Sequence, residues 1–410
     1  IRNIKKLLMK SLYKPDFLVI GAGIIGLTVA LQLKKQFPDS EIIIIEKEKK
    51  LGVHASGRNS GVLHAGFYYS ANSLKAKLCR DGNYFWREYC LEKKLKINQC
   101  GKLVVARNES ELKGLDELYR RGQENSVKLE LITENQAKEI EPSIFTFEKA
   151  LYSPTTSTID PNEILSSVSR DVINQNIKII YNNKFLNTKK NIISTEAGKF
   201  EPGYLINAAG LYADVIAKKY GFSKNTKILP FKGLYLYEKK KCLKLRTNVY
   251  PVPDLRNPFL GVHLTVTVDN KAVIGPTAIP AFWRENYVGL DNFNLKEFLE
   301  VISLETKLLA CNNFGFRNLA LSELKKYSKN KLTKLAGSLL NNKNLSSFTS
   351  WGKTGIRAQL IDIKNKKLEM DFKFEGDEKS FHVLNAVSPA FTCAEPFSKL
   401  IVENIKSKLN

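Results

Sequence analysis

The chain has 410 residues, enough for two domains with cores of their own, and its 43% apolar and 26% charged content is ordinary for a globular protein in water. Its net charge of +23 comes mostly from lysines spread over the whole length, without an aromatic-interleaved basic cluster, so nucleic-acid binding is set aside. What the charge leaves open is attraction of an anionic substrate or adhesion to an anionic membrane surface.

The first eight residues precede Met9, a natural start, and are left out of the fold argument; residues 1–13 read as an N-terminal extension that does not look like a secretory signal. Phe17–Ile20 is an apolar run rich in β-formers, followed by Gly21, Gly23 and Gly26 in G-x-G-x-x-G spacing, a helical stretch Leu27–Lys35 and a second apolar run Ile42–Ile45 ending at Glu46. The uncharged stretch from Phe17 to Leu33 is 17 residues long and broken by glycines, at the lower limit of a membrane span; strand, turn and helix account for it better. Gly21 makes the tight turn, Gly23 lets a pyrophosphate approach the backbone, and Gly26 lets the helix pack on the strand. Free amides at the helix start bind phosphate. Glu46, twenty residues after Gly26, is placed to accept hydrogen bonds from an unphosphorylated ribose. The motif by itself leaves FAD and NAD open.

A polar, glycine-rich run from His54 to Tyr69 follows and carries two of the four histidines, so cofactor and chemistry are expected side by side. Helices are expected over Leu74–Cys90, Glu109–Asn125, a short piece stopped by Pro142, and after the Asp160–Pro161 turn; strands are expected at Lys102–Ala106, Ile177–Tyr181 and Lys199. Tyr204–Gly221 reads as strand, small-residue turn and helix, and Ala208, Ala209 and Gly210 let a backbone lie close to a cofactor. From Ile228 to Gly275 the pattern is β-rich. Asn294–Asn341 is helical and Lys-rich, and is expected to be a mobile or peripheral insertion. A C-terminal helix is expected from about Pro396, with proline in its first turn. Six cysteines without C-x-x-C pairing, and four histidines without zinc-type spacing, read as reduced thiols and no metal site.

Several stretches, in order and at similar spacing from about Asp16 to Ile405, carry a resemblance: HASGRNSGVLHAGFYYSANSLKAKLCRDG, CGKLVV, INAAGLYAD, PFKGLYL, FLGVH, IGPTA, GIRAQ and HVLNAVSPAFT. Together the chain resembles the L-2-hydroxyglutarate oxidase or dehydrogenase family, FAD flavoproteins of the D-amino-acid oxidase and glycerol-3-phosphate oxidase superfamily. The resemblance implies an α/β (α+β two-domain) protein. Its parts would be a glutathione-reductase-like Rossmann FAD-binding domain, assembled from residues 14–98, 150–227 and 342–410, and an antiparallel-sheet substrate domain from 99–149 and 228–341. It also implies oxidation of L-2-hydroxyglutarate to 2-oxoglutarate by hydride transfer to flavin N5, with reoxidation by O2 or a membrane quinone. The location expected is cytoplasmic, free or peripheral to the inner face of the cell membrane. The alternatives within the superfamily are glycerol 3-phosphate and amino acids of the glycine or sarcosine type.

Oxidising an α-hydroxy acid needs a base beside the flavin. His64, with glycines near on both sides, is the residue expected to serve, and it matches the histidine proposed as base in similar glycerol-3-phosphate oxidases. Arg357 in GIRAQ is expected, by the match to the family's arginine, to hold a substrate carboxylate in a two-pronged grip, although a single arginine taken alone is more often a surface ion pair. By resemblance His263 and Ser388 are expected at the substrate, and His54, Ser56, Asn59, Ser60, Ala209, Gly210, Ser388, Pro389 and Ala390 join Gly21, Gly23, Gly26 and Glu46 around FAD. Read from the residues alone, His263 is equally a plain strand histidine, and Ser60 and Ser388 equally turn serines. Arg58 stands where the family commonly has histidine, and Val387 where it often has proline. Tyr68, Tyr69 and Tyr250 could line the pocket, but aromatic residues beside strands are usually core, and they are left out of the site.

Overall fold

A computed structural model describes residues 12–239, 243–255, 259–312, 315–342 and 344–409; nearly all of the N-terminal extension and Cys242 lie outside the described residues. Its framework is a six-stranded sheet in the order 178–180, 42–45, 17–20, 204–207, 380–385, 373–376, in which the first five strands run parallel and the last is antiparallel. Phe17–Ile20 and Ile42–Ile45 are buried at every position, as the unbroken apolar runs require of strands covered on both faces. Helices Ile24–Gln36, Leu74–Glu92, Pro161–Asn174 and Ala390–Leu409 share the core on one face. The other face is covered by a small sheet contributing Ile193 and Phe200. Asp160 caps its helix by accepting from the Asn162 amide, with Pro161 at the first helical position.

The C-terminal helix differs from expectation. It begins at Ala390, and Pro396 lies inside it. Having no N–H, Pro396 leaves the Thr392 carbonyl without its helical donor. At that turn Gly82 of the Leu74–Glu92 helix comes so close that a Cβ would stand 2.0 Å from the Thr392 oxygen. The two helices therefore pack where the proline interrupts the ladder.

An eight-stranded, almost wholly antiparallel sheet forms the second half, in the order 348–351, 236–238, 272–275, 263–266, 248–251, 102–105, 149–153, 130–133; its one parallel pair is 248–251 with 102–105. By sheet membership we assign Lys149–Ser153 and Phe348–Trp351 to this half. A further sheet pairs the long strands Thr226–Gly233 and Gly355–Asp362 antiparallel.

The segment 294–341 is not peripheral. Its helix Lys329–Gly337 sends Leu332 and Ala336, both fully buried, into the core of the eight-stranded sheet, and Phe316 and Ala320 pack with Phe231 and Leu229. Cys79, Cys90 and Cys393 are buried, Cys100 is half-buried and Cys311 exposed, all as free thiols. Among the described residues no helix is long and apolar enough to cross a membrane.

Candidate active site

The carboxyl ends of the parallel strands, Ile20, Ile45, Asn207 and Asn385, deliver four loops to one edge of the sheet, where open α/β folds bind ligands. Those loops line a cavity of about 1020 Å³ that extends to the Gly355–Asp362 strand and the eight-stranded sheet.

At the sheet end Gly21 adopts φ +101°, and a Cβ there would meet the Ala208 carbonyl oxygen at 2.7 Å. A Cβ on Gly26 would stand 1.9 Å from the Gly21 carbonyl oxygen; Gly26 is therefore the packing position, behind the lining that Gly21 and Gly23 form. Glu46 accepts from the Ala22 and Glu48 amides at 2.8 and 2.9 Å and faces the cavity. Ser56 accepts from the Ile24 amide at 3.0 Å, closing one of the free donors at the helix start. Asn59 gives all its polar groups to its own loop, donating to the Ala55 and Ser56 carbonyls and accepting from the Gly61 amide. It therefore shapes the wall. Ala209 and Gly210 line the cavity, and nothing lies within 4 Å of where a Gly210 Cβ would point.

His54 is held between the Tyr287 hydroxyl (2.7 Å) and Glu48 (2.9 Å). That hydrogen bond, with Lys47, draws the Glu48 carboxyl down to about 2. Glu48, His54 and Glu285 are the one cluster among the described residues with metal-like spacing, but the Lys47 ammonium bridges both carboxylates. Arg58 donates to the Val53 and Thr354 carbonyls and lies over the Tyr287 ring, so it braces this wall.

At the far end the backbone of His64 is fixed on both sides. Its amide donates to Thr392 Oγ1 at 3.2 Å, and its carbonyl accepts from Cys79 Sγ. The imidazole lines the cavity, yet its Nδ1 is buried with no hydrogen-bond partner. Burial, then the charges of Lys102, His263 and Arg357, push its pKa well below the usual histidine value, so the ring is neutral at physiological pH. His263 donates from Nδ1 to Gly261 O at 3.0 Å and is pushed down to about 3 by burial and by Lys102. Arg357, opposite Phe231 in the strand pairing, sets its guanidinium 4.8 Å from the Phe259 ring centroid and is half-buried. Ser60 and Tyr235 both line the cavity. Ser388, exposed to the cavity, and Pro389 and Ala390 stand at the start of the C-terminal helix, whose positive dipole end faces the cavity.

The sequence reading missed several lining residues. Tyr68, Tyr69 and Tyr250 line the cavity instead of serving the core alone. Lys75, Glu323 and Lys326 line it as well, the last two from the segment expected to be peripheral. Lys75 sits within a quoted family stretch; Glu323 and Lys326 had no local signal.

The family model for FAD dependent oxidoreductases matches residues 16–320. L-2-hydroxyglutarate dehydrogenase of Escherichia coli (strain K12) is 33% identical over 408 residues, covering 96% of this chain and 94% of that protein. The mitochondrial L-2-hydroxyglutarate dehydrogenase of Homo sapiens is 34% identical over 418 residues, covering 96% and 89%. Among solved structures, dithionite-reduced L-alpha-glycerophosphate oxidase from Mycoplasma pneumoniae with FAD bound superposes with a TM-score of 0.77 at 21% identity, covering 96% of this chain and 95% of that one. Glycine oxidase from Geobacillus kaustophilus gives 0.70 at 15% identity, covering 97% and 96%.

Proposed function

The chain belongs to the FAD-dependent oxidoreductase family, and from that premise we propose that it oxidises the C2 hydroxyl of L-2-hydroxyglutarate to give 2-oxoglutarate. FAD is the cofactor. The residues present suit it: Glu46 for a ribose, the amides around Gly21–Ile24 for the pyrophosphate, the open face of Gly210, and the helix start at Ser388–Ala390 for the electron-rich ring edge. When bound, FAD supplies the acceptor for the C2 hydride.

The chain's own residues supply the rest of the chemistry. His64, neutral and facing the cavity, takes the C2 hydroxyl proton as the alkoxide character develops. Arg357 holds the carboxylate next to C2 and so fixes the angle of that carbon. His263 and Ser388 flank the substrate. The aromatic walls Tyr68, Tyr235 and Tyr250 exclude water, which strengthens every charge interaction inside. An anionic substrate entering beside Arg357 raises the proton affinity of His64 just as its basicity is needed.

The observation that carries this reading is the buried, unpartnered Nδ1 of His64 with Arg357 facing the same cavity. Anaerobic addition of L-2-hydroxyglutarate to the yellow holoenzyme is expected to bleach its absorbance. Bleaching by glycerol 3-phosphate or glycine, with none by the hydroxy acid, moves the assignment to another branch of the superfamily.

A further inference from the structure

Lys75 belongs to the first turn of the Leu74–Glu92 helix and is 4% exposed. Its ammonium donates to the Met370 carbonyl at 2.7 Å and lies 5.8 Å from the ring centroids of both Tyr69 and Phe372. A buried ammonium ordinarily has a carboxylate beside it. Here none of the described carboxylates stands within ion-pair distance of it. The nearest acid by position, Asp371, is taken up by the backbone, accepting from the amides of Leu74, Lys75 and Phe372. Lys75 lines the same cavity as Arg357, close enough for the Arg357 charge to act on it.

The neighbouring cations are otherwise disposed. Lys326 is paired with Glu323, which also accepts from the Ala278 amide. Lys102 is screened from the cavity by Phe67, Tyr68 and Tyr250, whose rings surround its ammonium. Arg121 is paired with Glu117 and donates to the Tyr68 carbonyl. Lys75, buried and without an ion-pair partner among the described residues, faces the same space as the half-buried Arg357, an arrangement that suits a ligand with an anion at each end.

We propose that Lys75 binds the second, distal carboxylate of the substrate while Arg357 holds the one next to C2, so that Lys75 selects dicarboxylic over monocarboxylic 2-hydroxy acids. This rests on the reaction assigned above. The ammonium, with one carbonyl acceptor and two aromatic faces, has donors to spare for a carboxylate, and its charge is compensated when that carboxylate arrives.

The test uses the FAD-loaded full chain with two five-carbon pairs: L-2-hydroxyglutarate against L-2-hydroxypentanoate as substrates, and glutarate against pentanoate as non-reacting ligands followed by the change in flavin absorbance. Lys75→Met is expected to lower the dicarboxylate-to-monocarboxylate ratio of kcat/KM, and of binding, by about 10- to 100-fold. Lys75→Arg should restore most of it. If Lys75→Met folds poorly, Lys75→Gln makes the same comparison. An unchanged ratio overturns the proposal, and so does an equal loss for both members of each pair, which marks a structural role. If the wild type does not oxidise L-2-hydroxyglutarate yet prefers glutarate through Lys75, the reaction assignment fails while the anchor stands; oxidation with no dependence of the ratio on Lys75 gives the converse.

Discussion

His263 lies flat on Tyr250, with ring centroids 3.6 Å apart and planes 17° apart, and Lys102 Nζ stands 4.2 Å from the centroid of that same tyrosine ring. The stack ties a buried lysine, itself pushed down to about 7 by burial, to both histidines of the substrate end. Its charge holds their protons off.

Lys102→Met should therefore move the acid limb of the kcat/KM profile. In the wild type His64 is neutral to well below pH 6.5, and its use as a base fades only where it becomes protonated. Without the Lys102 charge, but with burial, His263 and Arg357 still acting, the limb is expected at higher pH than in the wild type. The same change removes a buried ammonium. A lysine whose folded pKa lies below its unfolded value destabilises fully below the folded pKa and progressively less as pH rises through about 7 towards 10.5. Thermal unfolding should show Lys102→Met gaining Tm at acid pH and gaining less at alkaline pH.

Arg357→Lys keeps the charge and loses the planar fork. Steady-state kinetics should show kcat/KM for L-2-hydroxyglutarate falling about 10- to 100-fold. Glycine-loop binding of FAD, read from the absorbance of the purified protein, should be unaffected.

Gly26→Ala should destabilise the chain by about 3 kcal/mol or more and yield protein with little FAD. The added methyl would stand 1.9 Å from a backbone oxygen that cannot swing aside, in the turn that receives the pyrophosphate. Denaturant melts and the ratio of flavin to protein absorbance read both effects.

Binding of glutarate to the holoenzyme should take up protons near pH 7 to 8. Lys102 and Lys75 are held down to about 7 and about 8, and an arriving dianion raises both. Calorimetry in buffers of different ionisation enthalpy gives the number directly; no uptake would separate these lysines from the ligand.

Local signals sufficed where one segment contains its own explanation. The glycine loop, the Ile42–Ile45 strand, Glu46, and the Asp160 cap with Pro161 each follow from a short stretch of sequence. The C-terminal helix was misplaced because proline was read by its local preference for a first turn, whereas here a glycine on another helix, Gly82, accommodates the interruption. Lys75 and the Glu323–Lys326 pair were not legible for a related reason: a lysine in a helical stretch has the appearance of a solvated one until its neighbours from distant segments are known. Tyr68 and Tyr250 show the same limit, since an aromatic residue in or beside a strand looks alike whether it faces a core or a cavity.

The account turns on proton removal by His64 in the cavity that Arg357 faces, and stopped-flow absorbance under nitrogen tests it most directly, with wild type and His64→Gln mixed with L-2-hydroxyglutarate. Flavin reduction is expected to slow by about 10²- to 10⁴-fold in the variant while its flavin content stays at the wild-type level. Reduction at the wild-type rate in His64→Gln, with flavin fully bound, would contradict it.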